Sequence, residues 1–284
     1  MAARRINGGV SVDPSGDNVS VFIMTYDEET NIERCLESVR WSDDVVILDS
    51  FSKDKTVTLA GAYPNVRIFE RRFDDYSGQR NHGLHAIAYR NRWLLVVDAD
   101  EVVEPGLAVE VRDVARARPV VDVFLLRRKV FFDGRWMRWN IAYDFWIERL
   151  MRPQAVRYEG RVHEKLRFEG GYGRLRGALE HHQFAKGIDH WLGRRCQYAR
   201  LEAQSAGTAY GLRPARLLSR DTLLRRSALK ALYYRMPARW AVYLAYNLLF
   251  KFAYLGGISG LRYICLEAYS QYLVARQVKE ARRA

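Results

Sequence analysis

The apolar residues of the chain fall into short, bounded blocks. Residues 19–24 (VSVFIM) form the first, and a run of this length predicts a buried strand. Comparable runs recur at 45–48 (VVIL), within 65–69, at 93–97 (WLLVV) and at 123–126. Between them the period becomes helical. Thr30-Asn31-Ile32-Glu33 has the form of a capping box, and Ile32, Cys35, Leu36 and Val39 follow on one helical face. Residues 77–88 bring Leu84, Ile87 and Ala88 together, and 101–122 predict a further helix with Glu104-Pro105 near its start. Alternating strands and helices at this spacing predict parallel βαβ units. Residues 131–147, dense in aromatics, read as a loop or lid.

Polar and acidic groups collect at the carboxyl ends of the predicted strands, where parallel sheets bind ligands. Strand one ends in Thr25-Tyr26-Asp27-Glu28-Glu29, strand two in Asp49-Ser50, and strand four in Asp98-Ala99-Asp100-Glu101. Neither G-x-G-x-x-G nor G-x-x-x-x-G-K-[ST] occurs, so the dinucleotide fingerprint and the P-loop are both missing.

Charge divides the chain. Residues 1–184 carry 28 Lys+Arg and 28 Asp+Glu, whereas 185–284 carry 18 and 5, which accounts for the whole net charge of +13. This predicts a flexible segment 1–18, a neutral domain 19–184 and a basic helical region 185–284. The last contains two apolar blocks, 240–250 and 252–261, separated by Lys251. Joined as one span they would put Lys251 near a bilayer centre, at a cost of about 2.5–3.5 kcal/mol. An in-plane helical region on an anionic membrane surface is the expected arrangement, with a purely structural helical core as the alternative. Three scattered cysteines give no disulfide scaffold, and the first 18 residues hold no apolar signal core, so a cytoplasmic location, peripheral on the inner face of the membrane, is expected.

Asp98-Ala99-Asp100 is the centre of the candidate chemistry. Two carboxylates two residues apart, just past a buried strand, suit a hard cation such as Mg2+ or Mn2+ together with a ribose hydroxyl. Arg80 suits a diphosphate, because its guanidinium presents a fork of donors. His181 is a candidate further ligand, and helix capping or surface exposure is the competing reading of the two aspartates.

The ordered motifs VSVFIMTYDEETNIERCLESV, VVILDSFSKDKT, SGQRNHGL and WLLVVDADE resemble the inverting family-2 glycosyltransferases. The later RLMR, VHEKL and HHQF segments, with MPARW and GGISG in the basic tail, resemble the branch containing lipopolysaccharide-core glucosyltransferases. The resemblance implies a GT-A fold: a mostly parallel, nucleotide-sugar-binding sheet flanked by helices, here with a basic helical C-terminal extension. It implies that Thr25, Tyr26 and Glu28 line the nucleotide pocket, and that Asp49, with Ser50 beside it, reaches the base or ribose. Arg80 and Asn81 would lie near the diphosphate and pocket floor. Asp98 would face ribose or metal, Ala99 would line the donor pocket, and Asp100 would hold the metal, with His181 as a further ligand.

Two departures stand out: bulky Phe51 after the second strand, and no Glu-Asp pair after the lid. The general base is then Glu164, with Asp144 as second candidate. The expected function is hexose transfer with inversion, glucose from a UDP donor, onto a lipid-linked or lipopolysaccharide-type acceptor. A polyprenyl-phosphate sugar transferase and a non-catalytic RNA-binding α/β module are the alternatives. No nucleic-acid partner is expected, since RNP-type aromatic strands are missing.

Overall fold

The computed structural model describes residues 4–5, 16–140, 145–160, 164–197, 232–233, 236 and 238–281. The chain divides into two compact units, residues 1–131 with 142–185, and 132–141 with 186–284.

The first unit is built on one sheet. Its N-terminal elements are β1 (Arg4–Arg5), β2 (Gly16–Thr25), α1 (Ile32–Ser38), β3 (Val45–Asp49), α2 (Thr56–Gly61), β4 (Val66–Glu70), α3 (Tyr76–Ala86) and β5 (Asn91–Asp98). There follow β6 (Glu101–Val103), α4 (Pro105–Ala117), β7 (Val123–Phe132), β9 (Trp146–Met151), β10 (Val156–Glu159), β11 (Lys165–Phe168) and β12 (Gly173–His181), whereas the short β8 (Arg135–Trp136) belongs to the second unit. The strand order is β1-β4-β3-β2-β5-β9-β7-β12-β6, and β10 and β11 form a separate antiparallel hairpin. Strands β4, β3, β2 and β5 are parallel, whereas β9 runs antiparallel to both its neighbours. The expected α/β sheet is present, and its C-terminal half is mixed.

Burial on both faces explains why these strands read as unbroken apolar runs. Successive side chains point to opposite faces. Val21, Ile23, Val45 and Ile47 therefore pack with Cys35 and Leu36 of α1 and Leu107 and Val111 of α4. Phe22, Val46, Leu48 and Val96 pack with Leu84 at α3 and with Val156 and Tyr158 of β10. Helix α3 lies so close to β2 that a Cβ on Gly83 would overlap the Phe22 ring. Gly83→Ala should therefore destabilise the domain by about 1–3 kcal/mol, despite the higher helix propensity of alanine. The shift of the urea-unfolding midpoint measures it.

Several local expectations change. Helix α1 begins at Ile32, but no side chain caps it, so the predicted capping box does not form; Asn31 instead donates to Glu28 at 2.8 Å. The predicted helix 101–122 shortens to Pro105–Ala117, because Glu101–Val103 pair with Leu179–His181 as a strand. The aromatic segment 131–147 retains strand structure at both ends, in β7, β8 and β9.

The second unit contains helical residues 188–197, α5 (Arg239–Leu249) and α6 (Gly257–Ala281). Within it, Glu267 of α6 is buried and accepts from Arg195 at 3.0 Å.

Candidate active site

Register brings the candidate residues to one rim. Met24 lies opposite Asp98, and Thr25 lies opposite Asp49, so β2, β3 and β5 end at the same level. Two clusters follow from this.

The first is a cup between β2 and β3. Asp49 is fully buried and accepts from Thr25 Oγ1 at 2.7 Å, Ser52 Oγ at 2.6 Å and Ser52 N–H at 2.8 Å. It thus organises the turn after β3, and its reach toward a ligand runs through that turn. Ser50 donates its N–H to the Thr25 carbonyl, and its hydroxyl accepts from Gln79 at 3.1 Å. Glu28 donates its backbone N–H to Thr56 at 2.7 Å. Asp27 and Phe51 both adopt left-handed backbone, with φ of 52° and 63°. For a bulky residue such as Phe51 this is an outlier, of the kind found at ligand-binding turns. Tyr26 and Phe51 are half exposed beside the cup, two faces on which a planar base can stack.

The second cluster surrounds Asp98. One carboxylate oxygen accepts from Arg80 and from Arg149, each at 3.2 Å, and the other accepts from Arg149. Arg149 also donates to fully buried Glu101 at 3.0 Å, and Glu101 accepts the Asp98 N–H at 2.9 Å. Arg80 continues the chain, donating from Nε to Glu164 at 3.0 Å and lying 5.3 Å from the Tyr158 ring. Burial alone would raise the Asp98 pKa, but Arg149 and Arg80 outweigh it and hold the carboxyl well below its ordinary range. Glu101 is pushed up, by burial first and by nearby Asp98.

Asp100 meets His181 at the end of β12. His181 Nε2 lies 3.3 Å from its carboxylate, and each of these side chains is about a tenth exposed. His181 is set there by β12, whose last residue pairs with Glu101. Its Nδ1 is buried without a hydrogen-bond partner. Neighbouring ligands of an octahedral cation with bonds of ~2.1 Å lie about 3 Å apart, so this pair fits one edge of a Mg2+ or Mn2+ shell. Among the described residues no group of three or more His, Cys, Asp or Glu converges as a metal site. Were a cation bound here, Asp100 and His181 would be the protein donors this geometry offers. Asp98, with both oxygens on guanidinium groups, is not arranged as a ligand.

Other expectations fare differently. Asn81 uses both ends of its amide on the Tyr158 backbone, donating and accepting at 2.8 Å, so it fastens β10 to α3. Ala99 is buried between the two aspartates. His182 stacks on Phe131 at 4.9 Å and meets Glu180 at 3.2 Å, which occupies its ring in packing. Asp144 and His163 lie outside the described residues. Arg149 and Glu101 carry the site's densest ion pairing and had no role in the sequence reading.

A mixed α/β sheet with parallel central strands and Asp-x-Asp at the end of β5, beside a polar cup on β2 and β3, matches the GT-A class of fold. The chain belongs to glycosyl transferase family 2, whose family model matches residues 20–181, more than half of its length. Among curated proteins it is 27% identical over 170 residues to the lipopolysaccharide core biosynthesis glycosyltransferase LpsC of Rhizobium meliloti, covering 57% of this chain and 62% of that one. It is 31% identical over 151 residues to the glycosyltransferase SunS of Bacillus subtilis, covering 52% of this chain and 34% of that one. The matches thus span less than two thirds of these relatives. Among solved structures, S. aureus TarS 1–349 resembles it with a TM-score of 0.46 and 15% identity, covering 94% of this chain and 91% of that one.

Proposed function

We propose that this glycosyltransferase moves a hexose, glucose from a UDP donor, with inversion onto a lipid-linked or lipopolysaccharide-type acceptor at the cytoplasmic face of the membrane. The observation that carries the reading is the convergence of Asp98, Arg80 and Glu164 in one ion-paired chain beside Asp100 and His181. In this reading residues 19–184 are the transferase domain and 185–284 the membrane-surface and acceptor region. The name of LpsC supports the acceptor class.

The uracil enters between Tyr26 and Phe51 over the Thr25–Asp49 cup. Asp98, held by two arginines, directs its exposed edge to the ribose; 28% of its side chain remains accessible. Asp100 and His181 hold Mg2+ or Mn2+, which when bound offsets the negative charge of the diphosphate. Glu164 takes the proton of the acceptor hydroxyl as its oxygen bonds to the anomeric carbon. The bond from that carbon to the diphosphate oxygen breaks on the opposite face, and UDP leaves with the electron pair.

Asp100→Asn tests the donor site. It preserves the shape of the side chain and removes its charge. Calorimetric UDP binding by wild type should strengthen when Mn2+ is added. In the variant that gain should vanish while the thermal transition stays in place. An undiminished Mn2+ effect in Asp100→Asn would remove Asp100 from the metal site.

A further inference from the structure

Within the second unit, α5 and α6 meet at a sharp elbow. The two helices are bent by 75° across a break, and among the described residues no single helix is long and apolar enough to cross a membrane. Helix α5, with 11 residues, extends only about 16 Å, against a hydrocarbon core of ~30 Å. Phe252 makes the turn in left-handed conformation, with φ of 53°, and Gly257 opens α6 at φ of 65°. The inner side is packed: Asn247, Ala253, Tyr263 and Ile264 are buried, and Gly260 sits against the Ala253 carbonyl.

The outer side of this elbow is apolar and bare. Leu249, Phe250, Phe252, Tyr254, Leu255 and Ile258 are 45–77% exposed, six large side chains within ten residues. Such a concentration marks an interaction surface rather than ordinary surface scatter. Its charge identifies the partner. From residue 239 to 266 there is no Asp or Glu. Arg239 is buried and Arg262 pairs with Asp133 at 2.7 Å, so Lys251 is the elbow's own cation, between Phe250 and Phe252. Aromatic and aliphatic side chains around a lysine with a long apolar stem match the headgroup–acyl boundary of a bilayer. Two copies of the chain meeting here would bring lysines together with no acidic group in the patch to offset them.

We propose that residues 249–258 form a monotopic wedge that inserts into the interfacial region of an anionic bilayer without crossing it. The proposal rests on the membrane-borne acceptor of the reading above, and it names the segment that holds the enzyme at that surface. The basic excess of residues 185–284 supplies the long-range attraction, and the elbow supplies the apolar hold.

Flotation of the full chain with phosphatidylcholine vesicles, with and without phosphatidylglycerol, tests it. Wild type should float with the anionic vesicles, and part should remain bound at about 0.5 M NaCl, where screening removes a purely ionic attraction. Leu249→Glu/Phe250→Glu/Ile258→Glu should lose at least about tenfold in vesicle affinity, and the corresponding triple serine variant should lose less. These three side chains are 67–77% exposed, so the fold should tolerate both sets. Equal flotation of wild type and the glutamate variant overturns the proposal, as does complete release by salt. Resistance to alkaline carbonate would indicate a true span. A concentration-dependent dimer abolished by the glutamates, with no vesicle binding, would indicate a second copy as occupant. Mn2+-dependent UDP binding in solution should be unchanged in the variants; its absence from all the proteins, wild type included, would count against the donor reading and not against the wedge.

Discussion

Glu164→Gln should lower sugar transfer by roughly 10²–10⁴-fold, the usual share of general base catalysis. The substitution keeps the size of the side chain and one oxygen able to accept from Arg80 Nε, the contact seen at 3.0 Å. It removes the capacity to take a proton. Donor affinity should barely move, because the proton belongs to the acceptor and the base lies opposite the departing diphosphate. The same change at Asp144, to Asn, should be milder and act through acceptor positioning. Initial rates at saturating donor, set beside UDP binding by calorimetry, separate the cases. If Glu164→Gln transfers at the wild-type rate and Asp144→Asn does not, the base is Asp144. If Glu164→Gln loses donor binding as well, Glu164 serves to position Arg80.

Arg149→Met should be the most damaging change to the fold among the site residues. Arg149 is 6% exposed and holds Asp98 and Glu101 together. Methionine fills much of the volume but leaves fully buried Glu101, with half-buried Asp98 beside it, without their shared cation. Breaking a buried pair from one side costs about 3–5 kcal/mol, because the remaining charge is uncompensated. The sign of the pH effect follows from Asp98. Its folded pKa is depressed, after Arg149 and Arg80 overcome the effect of burial. The stability it contributes is present above its unfolded pKa, ~3.9, and is lost as the pH falls toward the folded value. The variant should therefore lose part of the wild type's stability gain between acid and neutral pH. Urea unfolding at several pH values measures this. A wild-type unfolding midpoint in Arg149→Met would contradict the role given to the pair. Arg149→Lys should recover part of the stability but not the forked contact to both acids.

These two residues illustrate what was legible in the sequence. Glu164 stood out because inversion requires a carboxylate near the acceptor, and the VHEKL segment offered one. Its tie to Arg80 spans 84 positions and has no local signal. Arg149 was visible only as part of a motif, since its meaning depends on β9 pairing beside β5. The strands β2, β3 and β5 were readable because a sheet buried on both faces demands continuous apolar runs. Antiparallel β9 and the β10–β11 hairpin were not, because their alternation is short and interrupted by charge. The Thr30–Glu33 capping pattern misled because Glu28 and Asn31 bond each other instead. Asn81 followed the family motif, yet its amide is taken up by the Tyr158 backbone. His181 was read as a further metal ligand; β12 sets its Nε2 3.3 Å from the Asp100 carboxylate.

Release of nucleoside diphosphate from a panel of nucleotide sugars, without acceptor, addresses the central claim most directly. The full chain should hydrolyse UDP-glucose slowly in the presence of Mn2+ or Mg2+, faster than the GDP- and CMP-linked sugars. EDTA should stop the reaction, and Asp100→Asn should reproduce that loss. Preference for a donor with another base would contradict the UDP assignment, and undiminished hydrolysis in EDTA would contradict the metal site at Asp100 and His181.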